Sequence, residues 1–119
     1  MTSQTSSDCL FCKIVAGEIP SDRVAETERS IAFRDISPTA PVHVLVVPRR
    51  HEPTVGALAA ASADDLADVF RLAAQVAELE GVAGAHRMIV NTGPGAGQTV
   101  FHAHVHVLGG ATFTEGRMV

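Results

Sequence analysis

His102-Ala103-His104-Val105-His106-Val107-Leu108 alternates imidazoles with small or branched apolar side chains. In an extended chain, residues i, i+2 and i+4 share one face. The three histidines therefore project together, about 6.8 Å apart at about 3.4 Å rise per residue. Phe101, Ala103, Val105 and Val107 project the other way and form an apolar face. The pattern predicts a strand over residues 100–108 with a core face and a chemical face. Three readings of the chemical face are open: ordinary exposed strand positions, metal ligands in a His-x-His pair, or nucleophilic catalysis. For the last, a neutral imidazole is a good nucleophile toward phosphorus near neutral pH. It needs one group to fix its tautomer and another to stabilise charge on the phosphoryl oxygens.

The segment just upstream favours phosphorus chemistry. Asn91-Thr92-Gly93-Pro94-Gly95-Ala96-Gly97-Gln98-Thr99 is rich in glycine and delivers polar side chains ahead of the histidines. Glycines let backbone N–H groups close on an anion. The loop is neither a P-loop nor a dinucleotide fingerprint, because no Gly-Lys-Ser/Thr and no Gly-x-Gly-x-x-Gly opens a helix.

Further upstream, one long helix is well marked. Ser62 is placed to cap it, and Asp64 and Asp65 suit the positive end of its dipole. Leu66, Val69, Phe70, Ala73, Val76 and Ala77 recur at helical spacing, and Gly81 is a stop. A turn and short helix are expected between Cys9 and Ile19, ended by Pro20. Short strands are expected over 23–25, 31–34, 42–47 and 87–90. Pro38 and Pro41 force residues 37–41 out of regular structure. The order predicts an α+β domain, a sheet with the long helix on one face, packed against the apolar side of the histidine strand.

The chain of 119 residues is long enough for one core without disulfides. With no Trp or Tyr and five Phe, that core must be mostly aliphatic. The formal net charge of −4 argues against a duplex-DNA binder, which needs a basic face, and no nucleic-acid partner is expected. No apolar run reaches the roughly 20 residues of a membrane span, so no membrane association is expected. Residues 1–8 are polar, without the pattern of a signal peptide. They read as a disordered tail before a single domain over 9–119 in a cytoplasmic protein. The only cysteines, Cys9 and Cys12, have metal-ligand or redox spacing rather than that of a disulfide framework.

The histidine run resembles the His-φ-His-φ-His-φ-φ signature (φ apolar) of the histidine-triad superfamily. Cys9-Leu10-Phe11-Cys12-Lys13-Ile14, Gly17-Glu18-Ile19-Pro20, the stretch from Ala32 to Pro38, the stretch from Ala40 to Pro48 and Gly97-Gln98-Thr99-Val100 resemble its branch of nucleotide-binding proteins. The resemblance runs from Cys9 to about Gly110. It implies a five-stranded antiparallel sheet per subunit and a homodimer in which two sheets join into one of ten strands. It also implies hydrolysis of purine nucleoside phosphoramidates and adenylates to the nucleoside monophosphate, with an AMP- or GMP-type ligand and no organic cofactor.

Carried over by position, His104 matches the nucleophile that attacks the α-phosphorus and becomes nucleotidyl-histidine. His106 and His43 match the phosphate-side histidines. Asn91, Gly97, Gln98 and Thr99 match the loop holding phosphate and leaving group; Thr99 keeps a hydroxyl where relatives often have Ser. Asp35 resembles the ribose-binding acid. Leu10, Phe11, Ile14, Ile19, Phe33, Ile36 and Leu45 resemble the apolar purine pocket. Relatives with this Cys-x-x-Cys hold a structural zinc, and the matching ligands here are Cys9, Cys12, His51 and His102. Two Cys and two His make a closed tetrahedral site without an open position for catalysis. His86 matches no motif and is expected at the surface. The tail departs from the pattern: where relatives end in a Trp-containing segment, this chain continues from Gly109-Gly110 into Ala111-Thr112-Phe113-Thr114 with no Trp.

Two other functions fit the same residues: a dinucleoside polyphosphate hydrolase, which also suits Gly97-Gln98-Thr99-Val100, and a non-catalytic, zinc-stabilised nucleotide-binding module. An intact His104 and Thr99 speak against the second of these.

Overall fold

The computed structural model describes residues 8–115. The expected tail over 1–8 lies, apart from Asp8, outside the described residues. Eight regular elements follow in order: α1 (Leu10–Val15), β1 (Arg23–Glu26), β2 (Ser30–Arg34), β3 (Val42–Pro48), α2 (Val55–Ala61), α3 (Ala63–Leu79), β4 (His86–Ile89) and β5 (Val105–Gly109), with a 3₁₀ turn at Pro94–Ala96. The strands form one antiparallel sheet in the order β1-β2-β3-β5-β4.

Strand alternation divides this sheet into two sides. On one side Ala32, Val44, Val46, Val105 and Val107 pack against Val69, Leu72, Ala73, Val76 and Ala77 of α3. Burying each larger aliphatic side chain contributes about 1.5–3 kcal/mol, so this contact holds the domain together. On the other side Ile31, Phe33, Leu45 and Val47 pack against Phe11 and Ile14 of α1. Each helix starts as its sequence dictates. The Ser62 hydroxyl accepts from the Asp65 N–H (3.1 Å), and Cys9 Sγ accepts from the Cys12 N–H (3.3 Å). Gly81 ends α3 at a positive φ of 76°.

Three expectations are corrected. The last strand is shorter than 100–108: the ladder with β3 stops at Val46↔Val105. Continued in register it would set Ala103 opposite Pro48, which has no N–H to donate. The Ala103 N–H instead donates to the Glu52 carbonyl (2.7 Å). Phe101 consequently leaves the apolar face and stands about half exposed, while Ala103, Val105 and Val107 are buried as expected. A further helix, α2, stands where no element is expected; the Thr54 hydroxyl caps it through the Ala57 N–H (3.1 Å) and Leu58 anchors it in the core. Finally, His86 is half-buried in β4, with Nδ1–H donating to the Val82 carbonyl (2.9 Å).

Candidate active site and metal centre

The sheet face opposite α3 carries the chemistry. His43 in β3 and His106 in β5 flank Leu45, and His104 sits just before β5 begins. A carbonyl only accepts, so the 2.7 Å contact from His104 Nδ1 to the His102 oxygen places the His104 proton on Nδ1. Nε2 of His104 keeps its lone pair.

A second set of bonds fixes the neighbouring rings. The Thr39 N–H donates to His43 Nδ1 (3.1 Å), which leaves the His43 proton on Nε2. That N–H donates to His106 Nδ1 at 2.9 Å, so His106 carries its own proton on Nε2. The His104 and His106 rings lie edge to face, 5.0 Å between centroids. Asp35 Oδ2 lies 3.5 Å from His43 Nε2, and Asp35 Oδ1 accepts from the Ser37 N–H (2.7 Å). Burial pushes all three imidazoles below their ordinary value and His106 down to about 4, with Asp35 pulling the other way in each case. The rings are therefore neutral at pH 7, the state a nucleophile and a hydrogen-bond relay require.

Two cavities meet at His106. The first, about 280 Å³, is lined by Leu10, Phe11, Ile14, Ile19, Phe33 and Leu45 together with Asp35, Ile36, Thr99, His104 and His106. All seven apolar residues expected in a purine pocket are brought together here. Pro20, Ser21, Arg34 and Val100 also line it, beyond the positions the resemblance implies. Ile36 stands almost wholly exposed at the cavity mouth. The second, about 300 Å³, is lined by Thr39, His43, Ile89, Asn91, Ala96, Gly97, His106 and Leu108. Gln98 lines neither. Its amide is turned into the protein, accepting from the Gly93 N–H (2.9 Å) and donating to the Pro53 (2.8 Å) and Val100 (3.0 Å) carbonyls. It braces the glycine loop rather than facing a ligand.

The first triad histidine serves a different group. Nε2–H of His102 donates to the Pro48 carbonyl (2.7 Å), which turns the Nδ1 lone pair toward Cys9, Cys12 and His51. His102 Nδ1 lies 3.5 Å from both sulfurs, and His51 Nδ1 lies 3.2 Å from Cys12 Sγ and from His102 Nδ1. Four donors around a tetrahedral zinc, with Zn–S about 2.3 Å and Zn–N about 2.0–2.1 Å, would stand about 3.3–3.8 Å apart. Three of these four separations match the mixed S–N and N–N edges to about 0.2 Å and the fourth, His51 to Cys12, to about 0.4 Å. Burial holds His102 down to about 4, so it is neutral and ready to ligate. The loop carrying His51 is pinned by its neighbour: Arg50 Nε and Arg29 Nη1 both donate to buried Asp65, at 2.8 and 2.6 Å.

Asp35, His43 and His106 also group three donor atoms, but the Thr39 N–H opposes a metal there. A cation on His43 Nε2 would force the proton onto Nδ1, against that N–H donor. Nothing in the side-chain sequence signals Thr39, because its contribution is a backbone N–H.

Comparison with known proteins agrees with this geometry. Over 106 residues the chain is 43% identical to the purine nucleoside phosphoramidase of Escherichia coli, spanning 88% of this chain and 89% of that one. It is 41% identical to a 14 kDa zinc-binding protein of Zea mays, spanning 87% and 83%. The solved structure of a HIT family hydrolase from Clostridium thermocellum superposes with a TM-score of 0.90 at 44% identity, covering 97% of this chain and all of that one. Residues 16–113 match the HIT domain, and the chain belongs to the HIT family.

Proposed function

We propose that the protein is a nucleotide hydrolase of the histidine-triad type, releasing a nucleoside monophosphate from purine nucleoside phosphoramidates or related adenylates. The observation that carries this is the His104 tautomer: its Nδ1–H is held by the His102 carbonyl, so the Nε2 lone pair is the free end of a buried, neutral ring lining the cavity. Nε2 attacks the α-phosphorus and the P–N bond breaks. The leaving amine takes a proton, for which the Thr99 hydroxyl is the candidate donor. Nε2–H of His106, held in place by His43, donates to a phosphoryl oxygen as charge builds there. Water then cleaves the nucleotidyl-His104 bond, its oxygen adding to phosphorus and its proton restoring the Thr99 hydroxyl, giving the monophosphate and neutral His104. The base occupies the apolar cavity and Asp35 takes the ribose hydroxyls. Asn91 and Gly97 serve the phosphate side, and Gln98 acts there by bracing the loop.

Among the described residues no Lys or Arg lines the second cavity. A polyphosphate leaving group would bring several negative charges to that wall, whereas an amine brings none. This favours phosphoramidates over dinucleoside polyphosphates. Zinc on Cys9, Cys12, His51 and His102 would tie α1 to the sheet. Pairing of two chains through β4 would give a ten-stranded sheet. β4 is an edge strand with partly exposed Met88, while the opposite edge, β1, is irregular in register and flanked by charge. Among the described residues no helix is long and apolar enough to cross a membrane.

Side-by-side assays of an adenosine phosphoramidate and diadenosine polyphosphates test the reading. The expected outcome is AMP release from the phosphoramidate at a kcat/KM at least about tenfold higher, a difference of about 1.4 kcal/mol. Equal or faster cleavage of the polyphosphate would overturn the substrate assignment.

A further inference from the structure

The two histidine clusters are joined at residues 102–104. These residues lie before β5, so no strand ladder fixes the His102 carbonyl that holds His104. Two things fix it: the Ala103 N–H of the same planar peptide, which is itself hydrogen-bonded, and the His102 ring, through Nε2–H to Pro48 on one side and Nδ1 in the Cys/His cluster on the other. The next residue is tied to the same region: the Ala103 N–H donates to Glu52, the neighbour of His51. A second path runs through α1. Phe11, between the two cysteines, sets its ring edge to face against His104, 5.1 Å between centroids at 85°, and 6.1 Å from His102.

We propose that the Cys9–Cys12–His51–His102 cluster is a positioning element for His104, so that a bound divalent metal fixes the nucleophile's tautomer and orientation through the His102 carbonyl and the Phe11 ring. This rests on reading His104 as the nucleophile. The physical basis is local. The Nδ1 atoms of His51 and His102 face each other at 3.2 Å, with two sulfurs beside them. A shared cation would take a lone pair from all four atoms at once; without one, only a proton shared between two of them at a time holds the group, and His102 is held less firmly. Movement of His102 releases the His104 Nδ1–H, and the tautomer protonated on Nε2, which cannot attack phosphorus, becomes populated.

Imidazole nitrogen NMR on zinc-loaded and chelator-stripped protein, at a temperature where both are folded, reads this directly. Loaded protein is expected to show His104 as one Nδ1–H tautomer. Stripped protein is expected to show a mixture, with kcat lowered at least about tenfold, as misplaced reacting groups produce, and KM changed far less. A stripped, folded protein that keeps the single His104 tautomer would overturn the proposal. If stripping unfolds the chain, Phe11→Leu retains all four ligands; it should hold zinc yet show mixed His104 signals and reduced kcat. Unchanged signals and kcat in that zinc-loaded variant would also overturn the proposal. Leu72→Ala, a cavity in the α3 core, is the control: it should lower the melting temperature and leave the His104 signals alone. Equal disturbance of His104 by Leu72→Ala would reduce the effect to general loosening and defeat the proposal. A metal-dependent tautomer in a protein that cleaves no nucleotide would support the positioning role while failing the hydrolase reading.

Discussion

Two clusters of imidazoles lie within one sheet face, and backbone groups give them opposite characters. In the Cys9–Cys12–His51–His102 group, the Pro48 carbonyl takes the Nε2 proton of His102 and turns a lone pair inward, toward other electron-pair donors. In the His43–His106–Asp35 group, the Thr39 N–H takes up the lone pair at Nδ1 of His43 and turns a proton inward, onto His106. One centre is built to hold a cation and the other to hold a proton. The same side chain serves both, and a single carbonyl or N–H decides which. Residue type and spacing alone would have left both as candidate metal sites.

The sharpest way to break this comparison is to remove the nucleophile that the proton-holding centre serves and, separately, one ring of the cation-holding centre. His104→Ala should lower turnover at least about 10³-fold, since it deletes a covalent step rather than a contact. Zinc content and AMP affinity should stay near wild type, checked by metal analysis and calorimetry. His102→Ala should instead lose zinc and lower the melting temperature. If the His104 variant lost its metal, or the His102 variant kept it, the division of labour would be wrong.

His43→Ala tests the relay at a smaller scale. His106 would lose the donor that fixes its tautomer, and kcat should fall on the order of 10²-fold, within the range of hydrogen-bond and proton-transfer effects. Bound zinc should be unaffected.

The mildest effect is that of pH. Burial holds His106 near 4 and lowers His43 and His104, so kcat should stay level as pH falls from 8 through the ordinary histidine value near 6.5. It should decline only below that value. Stability follows the same groups with a definite sign. Between about 6.5 and 4 the unfolded chain binds protons that the folded chain does not, so folding free energy is fully present above 6.5 and is lost as pH falls toward 4. Half-loss of turnover already at pH 6.5 would show one ring titrating as if exposed.

Much of this arrangement is legible in the sequence, for reasons that name its limits. Alternation in 102–108 separates core from chemistry because strand geometry is strictly two-fold, and Val105 and Val107 do meet α3. Ser62, Asp64 and Asp65 mark the start of α3 because capping is local. Cys9, Cys12, His51 and His102 do converge, as do the seven apolar positions of the first cavity. What fails is whatever depends on a partner distant in sequence. The break before Val105 is set by Pro48 across the sheet, and Phe101 is exposed as a result. Gln98 is a polar side chain ahead of the histidines, yet it turns inward because Gly93, Pro53 and Val100 supply its bonds. α2 goes unmarked in the sequence although Thr54 offers a cap, because its alanine-rich run lacks an apolar stripe.

The central claim is that His104 Nε2 forms a covalent bond to the nucleotide. Rapid mixing with an adenosine phosphoramidate, an alkaline quench and mass spectrometry of the digested protein test it most directly. The expected result is one added nucleotidyl group on the peptide carrying His104, formed at a rate no slower than turnover and absent from His104→Ala. Full turnover with no adduct, or with the adduct on another residue, would contradict it.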